Sequence, residues 1–276
     1  MKINTNFSAQ LAARSAVQNE RASTAAMERL STGIRINSAT DDPAGWTISS
    51  KMTSNLMGMQ QALRNTYDGV SMLETAAGAA TEMGNMVQRV RELTLQGISD
   101  SSTVEQKAMM QNEANELIAE MENIALDTQF NNKNLLDGSS SSLQIQIGSV
   151  AGQTFDVSIG SLTNSELQLT GLDIIARPAE ALQKTDAAVS AITGAQAKFG
   201  VDVALLNQAM EGLVTSSQSF QAARGRIIDA DYAVDTTVLA SKTIMGEAAI
   251  AMVSQANQRP KACLLYTSDA ADDGLS

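Results

Sequence analysis

From Ala179 to Arg259 the chain reads AEALQKTDAAVSAITGAQAKFGVDVALLNQAMEGLVTSSQSFQAARGRIIDADYAVDTTVLASKTIMGEAAIAMVSQANQR, without a single proline. Large apolar residues recur at alternating steps of three and four: Leu182, Val189, Ile192, Phe199, Val203, Leu206, Met210, Leu213, Phe220, Ile227, Val234, Val238, Met245 and Met252. Thr185, Gln196, Ser217, Arg224, Asp231, Ser241, Ala248 and Gln255 fill the intervening steps. Such steps average to the 3.5-residue period that keeps one stripe of a helix against a partner, so the spacing predicts coiled-coil-like packing throughout. One uninterrupted helix of this length would span roughly 120 Å. Arg224 and Asp231, both charged and both in the stripe, predict a break or a change of partner between its halves.

Working outward, Met52, Leu56, Met59, Leu63, Val70, Leu73, Ala77, Ala80 and Val87 repeat the pattern and predict a second long helix from Pro43 to about Gln96. Asp41 and Asp42 precede that proline. Carboxylates accept the free amide hydrogens of a first turn, and proline fits there because its missing N–H would have no partner. A polar segment from Gly97 to Thr103 ends this helix, and Met110, Ala114, Leu117, Met121 and Ile124 predict a third, running out at Asn131, Asn132 and Asn134. Between Gly138 and Pro178 the period drops to two. Leu143, Ile145 and Ile147, then Phe155, Val157 and Ile159, predict a β-hairpin, with a third short strand at Leu167 and Leu169. The first forty residues carry a thinner helical stripe, Ile3, Phe7, Leu11, Val17, Met27, Leu30 and Ile34, too sparse to hold a helix without a partner. The fold class is mainly α, a long antiparallel helical rod with a small β-hairpin element. Its exposed stripes have to meet something, and other copies of the chain are the simplest candidate.

Composition excludes several functions. The chain has 276 residues with no His and one Cys, so imidazole catalysis, disulfide scaffolds and cysteine-cluster metal sites are absent. The formal charge of −11 argues against nucleic acid. The most apolar late stretch, Ala248 to Val253, is far too short to span a bilayer. The N-terminus lacks an apolar core with a cleavage site, so no ordinary secretory signal peptide is expected. Neither a phosphate-binding loop nor a dinucleotide fingerprint occurs, and no enzyme, cofactor or metal is expected.

Three motifs carry a resemblance. Arg29 to Gly45, RLSTGIRINSATDDPAG, resembles the N-terminal signature of bacterial flagellins. Gln88 to Leu93 (QRVREL) and Asp127 to Leu136 (DTQFNNKNLL) resemble a second run of that family, and Ala222 to Ala233 (AARGRIIDADYA) a third. Their order and spacing match the family over residues 1 to about 260. Trp46 stands where the family commonly has Leu, and Asn132 where it commonly has Gly. The region between the β-hairpin and the last long helix has no room for the outer domains of larger flagellins.

The resemblance implies a structural subunit, secreted and extracellular, that self-assembles into the flagellar filament for motility. It implies five segments: an inner-tube helix over 1–42, part of a rod domain over 43–177 with the β-hairpin at 138–177, the rod's last helix over 178–229, a second inner-tube helix over 230–260, and a tail over 261–276. From Cys263 the tail reads CLLYTSDAAD, which looks like a translated sequencing adapter. Implied partners are other flagellin subunits, the flagellar export apparatus and its chaperone, the filament cap and a vertebrate Toll-like receptor, with no nucleic acid and no membrane insertion. Matching the family position by position puts receptor recognition on Arg89, Leu93, Gln96 and Glu113, of which the first three share a helix face. Packing against a neighbouring subunit would use the same face. Arg35, Asn37, Asp41 and Asp42 could suggest a carboxylate site, but capping and subunit contact account for them better. The Met-rich helices are read as packing and the Ser139 to Ser142 run as a flexible loop. A hook–filament junction protein and a signalling coiled coil remain the alternatives.

Overall fold

Helix breakers and caps in the sequence set the elements. The structure is a computed structural model that describes the backbone of residues 5–100 and 102–272, and side chains as far as residue 259. Its elements are α1 (Phe7–Thr32), α2 (Pro43–Ile98), α3 (Val104–Asp127), β1 (Gln129–Phe130), β2 (Lys133–Asn134), β3 (Leu143–Gln146), β4 (Thr154–Val157), α4 (Pro178–Ile228) and α5 (Tyr232–Asp272). The chain is mainly α with a small antiparallel β element, as the spacing predicts. It divides into two units, a core unit from Ser54 to Phe220 and an arm unit that joins residues up to Thr53 with those from Gln221 onward.

In the core unit α2 and α4 run antiparallel: Gln196 Nε2 donates to the Ala80 carbonyl at 2.9 Å, and Arg91 pairs with Asp186. α3 turns back after a capping box in which Thr103 and Gln106 satisfy each other's backbone N–H groups. Leu73, Met83, Val87, Leu93, Met121, Ile192, Phe199 and Leu206 fill the core. Each buried side chain of that size contributes about 1.5–3 kcal/mol. Along α4 the stripe read from sequence is the buried one, with Thr185, Ile192, Phe199 and Leu206 fully buried and Val189, Val203 and Met210 half-buried.

The β-hairpin pairs Leu143 with Val157 and Ile145 with Phe155. No strand forms at Leu167 and Leu169. Both side chains are buried, but their N–H groups donate to the Thr163 and Asn164 carbonyls of local turns and are not free for a ladder. A hairpin not read from the sequence, β1–β2, turns through Asn131 and Asn132, both left-handed at φ 49° and 62°. Asparagine tolerates this region and glycine is unstrained in it. Replacing Asn132 with Gly is therefore expected to stabilise the core unit by a few tenths to about 1 kcal/mol, the gain in the folded state being offset in part by a freer unfolded chain. A urea melt checks this, and a lower midpoint would show that the Asn132 side chain itself holds the turn.

In the arm unit Gly33, at φ 70°, ends α1 in the left-handed conformation that leaves its N–H to the Arg29 carbonyl. The chain then crosses the break between α4 and α5, where Arg35 N–H donates to the Ile228 carbonyl and Ala230 N–H to the Gly33 carbonyl. That break, at Asp229 to Asp231, changes the phase of the C-terminal stripe. In α5, as far as residue 259, the half-buried positions are Thr236, Val238, Leu239, Lys242, Gly246, Ala249, Val253 and Ala256, following buried Asp235, and of these Val238 alone belongs to the stripe read from sequence. Val234, Met245 and Met252 of the sequence stripe are exposed instead.

Candidate functional site

α1 packs antiparallel on α5, with Asn6 at Ala256 and Arg29 at Asp235. Over most of its length the residues α1 turns inward are small or polar: Ala9, Ala12, Ala16, Asn19, Ala22, Ser23 and Ala26. Alanine and glycine on facing helices let the two backbones approach closely, and α1 and α5 have Cα atoms within 8 Å of one another. Leu30, Val238, Leu239 and Val253 are half-buried, but most of the large apolar residues of both helices are exposed. Phe7 is 75% exposed, and Leu11, Val17, Tyr232, Val234, Ile244, Ile250 and Met252 are likewise exposed. Ile3 of the sequence stripe lies outside the described residues. A helix pair that hides its alanines and displays its Phe, Leu, Val and Met is an unfinished core, and an apolar surface of this kind drives association. Sequence reading missed the inward face. The signal was the alanine spacing in α1, which a search for large apolar residues passes over.

At the root of this pair lies the loop between α1 and α2. Arg35 Nη2 donates to the Ile227 carbonyl, and Asn37 Nδ2 donates to Glu28 Oε1. Asp41 Oδ2 accepts from the N–H groups of Asn37 at 3.1 Å and Ser38 at 2.9 Å, and from the Ser38 hydroxyl. Asp42 Oδ1 accepts from the N–H groups of Ala44 at 3.1 Å and Gly45 at 3.0 Å, with Pro43 opening the helix between them. All four side chains are spent on holding the loop. The Ser38 N–H, then its hydroxyl, hold the Asp41 carboxyl below the usual carboxylate range. A depressed folded value means stability that is present above the unfolded value, about 3.9, and is lost as pH falls through the folded one. We expect the Ser38 amide proton to titrate in NMR with a midpoint below that value and to stop titrating in Asp41→Asn. A midpoint at or above it would contradict the loop geometry.

In the core unit Arg89 Nη2 lies 2.8 Å from Glu113 Oε1 and its Nη1 lies 3.2 Å from Glu92 Oε2. Glu113 first, then Glu92, keep the guanidinium more firmly protonated. Gln96 is exposed on the same helix. Leu93 is not part of this surface: it is 2% exposed and belongs to the core. The four residues therefore divide into an exposed polar trio and one core residue beneath it. Among the described residues no group of His, Cys, Asp and Glu could hold a metal ion, and no helix is long and apolar enough to cross a membrane.

With this geometry in hand, known proteins supply the comparison. The family profile described as the bacterial flagellin N-terminal helical region matches residues 3–141, and that of the bacterial flagellin C-terminal helical region matches residues 182–266. The flagellin of Halalkalibacterium halodurans is 34% identical over 268 residues, covering 96% of this chain and 98% of that protein. That of Bacillus subtilis is 33% identical, covering 95% and 98%. A crystal structure of Bacillus cereus flagellin shares the fold with a TM-score of 0.50 at 24% identity, over 54% of this chain and 88% of that one.

Proposed function

The chain belongs to the bacterial flagellin family, and on that premise we propose that its α1–α5 arm is the part that polymerises. It is a structural subunit of the flagellar filament, which is extracellular and built of flagellin copies. The observation that carries the proposal is the polarity of the arm, mostly small residues within and most of its large apolar residues without. In a filament the segments 1–42 and 230–260 line the inner tube, while 43–177 and 178–229 form the surrounding rod. Full-length relatives that are flagellins favour this over the junction or signalling alternatives.

Alone, the arm buries mainly small side chains, which offset little of the entropy of ordering two long helices. The dilute monomer therefore keeps its core unit and opens its arm. This suits a subunit that is secreted by passing unfolded through the flagellar export apparatus with a chaperone and is folded beneath a filament cap. Hydrogen exchange tests it: residues 5–35 should exchange freely in dilute chain and become protected on polymerisation. Strong protection in the dilute monomer would overturn the coupling of folding to assembly.

Two finer readings accompany it. Arg89, Gln96 and Glu113 present the surface a Toll-like receptor would meet, with Leu93 supporting it from beneath. A reporter assay on Arg89→Ala decides this, since unchanged potency would remove Arg89 from the contact. The tail over 261–276 is foreign to the subunit. Genomic reads crossing codon 262 test that directly, and a Leu-rich terminus in its place should lower the concentration needed for assembly.

A further inference from the structure

α5 runs on in helical backbone through Pro260. A proline inside a helix has no N–H for the carbonyl four residues earlier, which here is that of Ala256. That carbonyl is not left bare, because Asn6 Nδ2 donates to it at 2.7 Å from the other helix. The same side chain works in the opposite sense on its own helix: Asn6 Oδ1 accepts from Ala9 N–H at 3.1 Å and caps the start of α1. One amide thus closes two helix defects, the open donors at the beginning of α1 and the open acceptor that Pro260 leaves in α5. Only a side chain with both a donor and an acceptor can do this.

The position of this clamp gives it a consequence. Beyond the backbone bridge at its root, α1 contributes mainly alanines to the α1–α5 contact, facing Leu239, Lys242, Gly246, Ala249 and Val253, and a row of near-identical alanines specifies register only weakly against a slide of one or two turns. Polar groups do specify it. At the root end Arg29 Nη1 faces the buried Asp235 at 3.9 Å, and midway Asn19 is buried at 7% exposure. Asn6 is the fastening at the far end, some 35 Å from Arg29 at 1.5 Å per residue. A slide of two turns would carry its amide about 10 Å from the Ala256 carbonyl and leave a helix acceptor unsatisfied.

We propose that Asn6 is a positioning residue that sets the register of α1 on α5 by supplying the donor that Pro260 withholds. The register decides which outward apolar residues of the two helices lie side by side, so the proposal deepens the assembly reading and rests on it for its purpose. The contact itself can be tested without assembly.

The experiment uses the full chain with Cys263→Ser and with Ala9→Cys and Val253→Cys, which the Asn6–Ala256 pairing sets opposite each other. Disulfide yield at low concentration, taken at one short oxidation time, reports the small docked fraction of an arm that is mostly open, because the crosslink traps only the visits made in register. Asn6→Asp keeps the helix cap and loses the donor; Pro260→Ala restores the backbone N–H and makes the donor redundant. With Pro260 present, Asn6→Asp should lower the yield about tenfold, the scale of one unsatisfied acceptor. With Pro260→Ala the same substitution should change it less than about twofold. An equal fall in both backgrounds would make Asn6 an ordinary structural residue and overturn the proposal, as would no fall in either. If the yields behave as expected and the unsubstituted chain never polymerises, the assembly reading fails and the clamp stands.

Discussion

Leu93→Ala is expected to remove about 2–5 kcal/mol from the core unit, the cost of deleting a large aliphatic side chain and leaving a cavity behind. In a unit of this size the melting temperature should fall by roughly 5–15 °C. The expectation rests on position, since Leu93 is 2% exposed and packs in one cluster with Val90, Met110 and Ile174. Arg89→Ala, one helical turn away, should barely move the melt, because an exposed ion pair with Glu113 and Glu92 contributes at most about 1 kcal/mol. The contrast bears on recognition. A loss of receptor response in Leu93→Ala would report a softened core as readily as a lost contact, so it must be read beside the melt. An unshifted melt in Leu93→Ala would show that the side chain lies outside the core and would return it to the surface set.

Much of the fold was legible because burial and helical period coincide in the core unit. α4 is the clear case, with Thr185, Ile192, Phe199 and Leu206 at successive heptad positions and all buried. The capping of α2 was equally legible, since Asp42 and Pro43 act through their immediate neighbours. Leu93 was not, because successive side chains on a helix are turned by about 100°. Arg89, Leu93 and Gln96 thus share a face only within about 60°, and the edge of the core passes between them. Leu167 and Leu169 alternate like a strand, but turn geometry had already claimed their N–H groups. The most instructive failure is α5. Val234, Met245 and Met252 of its heptad stripe are real in the sequence and exposed in the chain, while the stripe that is half-buried mixes Leu239 and Val253 with Lys242, Gly246, Ala249 and Ala256 and so carries a diluted hydrophobic signal. A pattern of large apolar residues reports where burial is eventually needed, and in a subunit that burial belongs to the polymer.

α5 is therefore the place where polymerisation can be abolished without touching the folded core. Met245 and Met252 are 47% and 58% exposed and lie seven residues apart on one face of α5. Met245→Glu combined with Met252→Glu puts two carboxylates where the filament would remove water, and an unpaired charge buried in an interface costs several kcal/mol. Each 1.4 kcal/mol is a factor of ten in an association constant, so the concentration needed for filament growth should rise roughly 100-fold or more. The core unit contains neither residue, and its melt should be unchanged. Leucine at both positions keeps the apolar surface and should leave assembly within a few-fold of the unsubstituted chain, which separates loss of burial from loss of the methionine thioether. Sedimentation and electron microscopy under one salt condition compare all three chains. Filaments of the double glutamate variant at the unsubstituted concentration would mean that this stripe stays wet in the polymer, and the assembly surface would then have to be sought on Phe7, Leu11 and Val17 of α1 alone.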